Sequence, residues 1–136
     1  MGLLSKFYSN LRNQVPEKRG IARNLAVGNH TFLTSWLQSI SVVRNICAHH
    51  SRLWNRNLPT PPKLLRRASK SFIDTSRLDQ HSFYAVLCSM QYLLQTISPK
   101  NRFQERLEKM LEDYPNVDTR AMGFPDDWRD EPLWNI

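Results

Sequence analysis

The chain has 136 residues, 40% hydrophobic and 10% aromatic, which is enough for one core and too apolar for a disordered segment. Four glycines and few alternating β-branched runs argue against an all-β fold, and no apolar stretch reaches the roughly 20 residues that span a bilayer. The net charge of +7 hides an asymmetry: residues 1–77 carry thirteen Lys/Arg against Glu17 and Asp74, a balance of +11, whereas residues 78–136 carry six against ten acids, a balance of −4.

A basic half of this kind suits a polyanion, and an acidic half keeps the chain solvated. The opening Met1-Gly2-Leu3-Leu4-Ser5-Lys6 leads into polar and basic residues rather than a signal-peptide core, so the expected location is the cytoplasm. Two cysteines are too few for a disulfide framework. Cys47 and Cys88 fall in helix-like apolar patterns and are expected to be buried free thiols.

In chain order, Leu3, Leu4, Phe7, Tyr8 and Leu11 form one stripe at helical spacing over residues 3–13. A second short helix opens at Pro16, a good first-turn residue, and runs through Ile21, Leu25 and Ala26 until Gly28-Asn29 stop it. A third starts near Thr31 as N-cap and carries Leu33, Trp36, Leu37, Ile40, Val43 and Cys47 over more than four turns. Pro59-Thr60-Pro61-Pro62 is then an extended connector, followed by the basic run from Lys63 to Lys70. Asp79 is expected to cap a fourth helix bearing Phe83, Val86, Leu87, Met90, Leu93, Leu94 and Ile97. A fifth carries Phe103, Leu107, Met110 and Leu111, with Glu105 and Lys109 at pairing distance. Residues 115–136 hold Pro115, Pro125, Pro132, Trp128 and Trp134 and read as an irregular tail pinned by its aromatics. The expectation is an all-α antiparallel bundle, with a helical domain over 1–114, a proline-rich crossover and a tail over 115–136.

The densest chemistry lies in Arg44-Asn45-Ile46-Cys47-Ala48-His49-His50. A guanidinium that keeps its charge can hold a phosphate, and an imidazole near neutrality can move a proton. These are the parts for breaking an RNA phosphodiester without metal, and no cofactor is implied. At ~100° per residue, His49 lies about 140° around a regular helix from Arg44, and His50 about 120° away on the other side. One copy would struggle to bring them together, whereas two copies facing across a symmetric contact could. In the competing reading Arg44 pairs with an acid and the histidines merely end a helix, where a cationic imidazole suits the dipole. A metal site from Cys47, His49 and His50 is weak, because adjacent histidines diverge and no second ligand pair appears. Arg52, Arg56, Lys63, Arg66 and Arg67 are candidate RNA-backbone contacts, although such runs are usually solvated faces. Trp54 reads as a lid over the helix end, and His30 and His81 as surface or capping residues.

The string from Val43 to Arg56 (VRNICAHHSRLWNR) strongly resembles the signature of the abortive-infection (Abi-like, AbiD/AbiF-type) bacterial proteins of the HEPN superfamily. Leu4 to Leu11, Tyr84-Ala85-Val86-Leu87 with Tyr92-Leu93-Leu94, Tyr114-Pro115, Ala121-Met122-Gly123-Phe124-Pro125, Trp128 and Leu133-Trp134 are similar to further segments of that family. The resemblance implies Arg44 and His49 as an Arg-x4-His pair, Asn45 as its polar second residue and His50 as a supporting or alternative imidazole. It also implies a helical bundle, a composite dimer cleft and phage defence by metal-independent cutting of RNA. The chain resembles the C-terminal half of such proteins, which leaves open a truncated inactive copy that only binds RNA or dimerises, a fragment, or a chain completed by a partner with the N-terminal half; an antitoxin is a further expected companion.

Overall fold

Asn29, rather than Thr31, begins the longest helix: its side chain accepts from the Thr31 backbone N–H at 2.8 Å, a bond that satisfies one of the first-turn donors. The computed structural model describes residues 2–12, 14–65 and 72–135, and among these the regular elements are all helical. They are α1 (Leu3–Asn10), α2 (Pro16–Asn24), α3 (His30–Ala48), α4 (Phe83–Ile97) and α5 (Phe103–Asp113), with single 3-10 turns at Thr75–Arg77, Arg120–Met122 and Trp128–Asp130. Helix α3 is the hub, packing on α1, α2 and α4, while α5 packs on α4.

The α3–α4 pair is antiparallel. Trp36, early in α3, meets Tyr92, late in α4, edge-to-face at 5.5 Å, whereas Val43 and Ile46, late in α3, share a cluster with Val86, early in α4. The sequence stripe on α3 holds through Leu33, Trp36 and Val43 but then shifts to Ile46. Cys47 is exposed and only Cys88 is buried, so the expectation of two buried thiols fails at Cys47. Periodicity continues to the helix end; the neighbours that would cover it do not.

Helix α2 starts at Pro16, as its missing N–H and preset φ favour. Its end is a paired turn in which Val27 N–H reaches the Ala22 carbonyl at 3.0 Å and Ala26 N–H the Arg23 carbonyl at 2.9 Å, with Ala26 left-handed at φ 58°. Helix α1 departs most from expectation. Tyr8 and Ser5 face inward, Leu11 packs at the core's edge, and Leu3, Leu4 and Phe7 stay exposed. What anchors α1 is Lys18, only 2% exposed, whose ammonium donates to the carbonyls of Ser9 (3.3 Å) and Leu11 (2.8 Å). A cation on the last carbonyls of a helix satisfies orphan acceptors and suits the dipole.

The proline-rich crossover runs back along α3. Leu58 exchanges two bonds with His81, backbone N–H to carbonyl and carbonyl from the ring Nδ1, both at 2.8 Å, so the Nδ1 carries the proton. Thr60 accepts from Ser39 Oγ, Lys63 N–H donates to Ser35 Oγ, and the Lys63 carbonyl accepts from the Trp36 indole. Ser82, not Asp79, caps α4 by accepting from Ala85 N–H; Asp79 accepts from His81 N–H one turn earlier. On α5 the expected Glu105–Lys109 pair gives way to Arg102–Glu105 and Lys109–Asp113. The tail is irregular yet deeply packed: Phe124, Trp128, Leu133 and Trp134 are buried, and the Trp134 indole donates to the Tyr84 hydroxyl at 3.0 Å.

Candidate functional site

Inward packing of Val43 and Ile46 on Leu58 and Val86 fixes the rotation of the last turns of α3. With those two positions turned in, Arg44, Cys47 and Ala48 must turn out, and all three are exposed. The helix ends in a Schellman turn: His50 N–H meets the Cys47 carbonyl and Ser51 N–H the Ile46 carbonyl, both at 3.0 Å. His50 occupies the left-handed position of that turn at φ 50°, where glycine or asparagine is usual and another residue costs about 1 kcal/mol. His49 is the C-cap residue, at φ −94°. The histidines thus sit on the turn that reverses the chain, not on the helix face that carries Arg44.

Arg44 donates from Nη1 to the Asn45 Oδ1 at 3.1 Å, and among the described residues it makes no ion pair with an acid. The competing reading in which an acid neutralises Arg44 is therefore not what the fold holds. Asn45, in turn, is committed to the guanidinium and holds neither imidazole. Both histidine rings are exposed and carry no hydrogen bond among the described residues. Exposed donors without internal partners can turn to a ligand at little conformational cost.

The remaining basic candidates divide. Arg52 and Arg56 follow on the loop, both exposed, with Arg56 Nη1 on the Arg52 carbonyl at 3.3 Å and neither in an ion pair. The side chain of Lys63 is exposed, but its backbone is tied to Ser35, nine residues before Arg44 and so roughly 13 Å away along the helix. It does not join the Arg–His end. Arg66 and Arg67 lie outside the described residues. Trp54 does not close over the helix end; it is 40% exposed and its indole donates to the Asp118 carbonyl at 3.1 Å, tethering the loop to the tail.

The four ion pairs of the described residues all take their acids from the second half of the chain: Arg77–Asp127, Arg102–Glu105, Lys109–Asp113 and Arg120–Asp126. Apart from Arg77, the basic excess of residues 1–77 is not neutralised by these contacts. Hydrogen bonding to the Arg77 guanidinium holds the Asp127 carboxyl below the usual range. Burial pushes the Tyr84 phenol and the Cys88 thiol up, in keeping with inert core groups. No group of three His, Cys, Asp or Glu side chains is placed to hold a metal among the described residues, and none of their helices is long and apolar enough to cross a membrane.

The pattern that defines the family described as Abi-like protein matches residues 1–55, a segment that ends just beyond the Arg44–His50 turn. Over those residues the chain is similar to the Abi-like family. The similarity is carried by α1, α2, α3 and the start of the loop, so the match takes in every catalytic candidate. The crossover, α4, α5 and the tail lie beyond the matched residues. Comparison with the curated proteins and with the solved structures found no match.

A second feature had no signal in the sequence. A cleft of about 650 Å³ opens beside the loop, lined by Arg56, Asn57, Arg77, Ser82, Arg120 and Asp126 among others. It is assembled from three segments distant in the chain, and no periodicity marks residues that meet only through loops.

Proposed function

We propose that this chain is a metal-independent endoribonuclease of the HEPN type, acting in phage defence by abortive infection, with a site shared between two copies. The family match suggests the defence role. The observation that carries the chemistry is the α3 terminus, where an arginine that makes no ion pair among the described residues and two exposed imidazoles stand within seven residues on different faces. Divergence within one copy is what a composite site requires: each copy offers Arg44 on the helix and a histidine on the turn. The exposed apolar edge of α1 supports pairing, because the Gly2 backbone abuts Ser41, one turn from Arg44 and Asn45. A Cβ on Gly2 would lie 2.8 Å from the Ser41 hydroxyl. Leu3, Leu4 and Phe7 therefore open beside the site, on a surface that a second copy would cover.

In the reaction, His49 takes the proton of a ribose 2′-OH, and the 2′ oxygen forms a bond to phosphorus as the P–O5′ bond breaks. The leaving 5′ oxygen receives a proton from a second imidazole, His50 or the other copy's His49. The products are a 2′,3′-cyclic phosphate and a 5′-OH end. General acid–base help of this kind contributes roughly 10²–10⁴ in rate. Arg44 stabilises charge developing on the phosphoryl oxygens, on the order of 3 kcal/mol by analogy with an oxyanion donor. Arg52 and Arg56 extend the contact along the backbone.

The alternative is a non-catalytic RNA-binding or dimerisation module, favoured by the pairing of the Asn45 side-chain oxygen with Arg44 rather than with an imidazole. Incubating the purified chain with total RNA in EDTA separates the two. Cleavage that Arg44→Ala and His49→Ala both abolish supports the nuclease; tight binding without cleavage supports the module. Cleavage that survives both substitutions contradicts the assignment of these residues.

A further inference from the structure

We infer that the cleft between the 55–57 loop, the Thr75–Arg77 turn and the tail is a base-reading subsite, which takes one unstacked nucleotide of the single-stranded RNA that reaches the Arg44–His50 end. The inference rests on the RNA reading above and adds what that reading lacks, a source of sequence preference.

Three physical features point this way. First, the cleft is built and held. The consecutive acids Asp126 and Asp127 clamp two guanidinium forks side by side, Arg120 at 2.8 and 3.0 Å and Arg77 at 2.9 and 3.2 Å. Each pair uses two of an arginine's five N–H donors and orients the other three, on side chains that remain about half or more exposed. The floor is equally constrained. Gly123 is left-handed at φ 87°, and a Cβ there would lie 2.3 Å from that of Ser82, so the tail can press against the start of α4 only with glycine. Asn55, which also lines the cleft, is left-handed too, at φ 49°.

Second, the charge is balanced. Arg77 and Arg120 are met by Asp127 and Asp126, and Asp79 also lines the cavity. A cleft meant for phosphate would leave its guanidinium groups unopposed. One that alternates guanidinium, carboxamide and carboxylate instead matches a neutral heterocycle with donors and acceptors on one edge. Arginine, asparagine and aspartate are the side chains whose paired groups fit base edges, and unstacked bases are how proteins read RNA sequence. The volume lies within the usual range for a pocket holding one small ligand.

Third, the cleft is connected to the Arg–His end. Arg56, in no ion pair among the described residues, lines the cleft seven residues beyond His49, so the two are at most about 25 Å apart along an extended chain. Trp54, held to Asp118, keeps that loop on the tail. A strand leaving His49 along the loop meets Arg56 with a phosphate and the cleft with a base.

The test uses the full chain and short fluorescent oligonucleotides of A, C or U carrying 2′-O-methyl groups, which cannot be cut by 2′-oxygen attack. Fluorescence anisotropy should show a preference of about tenfold or more for one base. Asn57→Ala and Arg120→Ala should each level that preference, Arg56→Ala should weaken all three probes alike, and Arg102→Ala on α5 should change nothing. Asn57 and Arg56 are exposed, so their variants keep the fold, and matching melting curves verify this. Equal affinity for the three probes in the parent overturns the inference, as does a preference that survives both Asn57→Ala and Arg120→Ala. Base preference without cleavage in EDTA removes the nuclease reading and leaves the cleft; cleavage without preference does the reverse.

Discussion

Helix α1 and the tail beyond α5 invert the usual relation between regularity and burial. The first is eight residues of continuous helix that leaves Leu3 87% and Phe7 67% exposed. The second has only single turns of 3-10 helix, yet it buries Phe124, Trp128, Leu133 and Trp134 in a chain of aromatic contacts with Tyr84. Backbone hydrogen bonds make a helix locally, but stability comes from what its apolar face covers. The tail is therefore part of the core in all but secondary structure, whereas α1 packs on α3 and buries Tyr8 and Ser5, has its last carbonyls held by Lys18, and leaves its other apolar residues outside. The Arg44–His50 turn lies on the α1 side of this contrast, next to apolar surface that one copy alone does not bury.

Trp134→Ala should have the largest effect, about 3–5 kcal/mol of stability, because it empties a site that is 1% exposed and removes the indole donor from the Tyr84 hydroxyl. The same variant should expose Cys88, whose surroundings include Tyr84 and Trp134. In the parent, a thiol reagent should label Cys47 quickly and Cys88 only on unfolding; rapid labelling of both would contradict the buried tail. Next comes Lys18→Ala, at about 2 kcal/mol, since it leaves the Ser9 and Leu11 carbonyls without their charged donor. Hydrogen exchange should then quicken across α1 while α4 stays protected. Phe7→Ser should change the stability read from melting curves by no more than about 0.5 kcal/mol in dilute solution. A larger loss would mean that Phe7 is covered even in the isolated chain.

The smallest effect concerns the tail's outer fastening. Asp127 has its folded pKa depressed, chiefly by the hydrogen bond to Arg77, so its contribution is present above the ordinary carboxylate range and is lost as pH falls through the lowered value. Both partners are about half exposed, so water screens the pair. Melting curves of the parent and Asp127→Asn should differ slightly at neutral pH and converge in acid. A gap that widens in acid would reverse the assigned sign.

How much of this could be read from sequence follows the same contrast. The bodies of α3 and α4 were legible because long apolar stripes have few alternatives, and Pro59 to Pro62 excluded a helix between them. Cap residues were misplaced by two or three positions, Asn29 for Thr31 and Ser82 for Asp79, because several good cap residues lie close together. The α1 stripe was legible as a helix, but which of its residues are covered was not: periodicity reports which residues share a face, not whether anything lies against it. Cys47 failed for the same reason at the other end. Lys18 was invisible, since a buried lysine is identified by the carbonyls it meets. The motif residues were legible as chemistry; their divergence followed from helical angles, while the left-handed turn at His50 did not.

The central claim is that Arg44 of one copy works with His49 of another, and subunit mixing tests it directly. Arg44→Ala and His49→Ala chains, each inactive alone, should regain roughly a quarter of the parent's RNA-cleaving rate when co-expressed, because half the pairs are mixed and each mixed pair rebuilds one of two sites. If mixed pairs form and the rate stays at the level of either variant alone, while the parent cleaves, the shared site is contradicted.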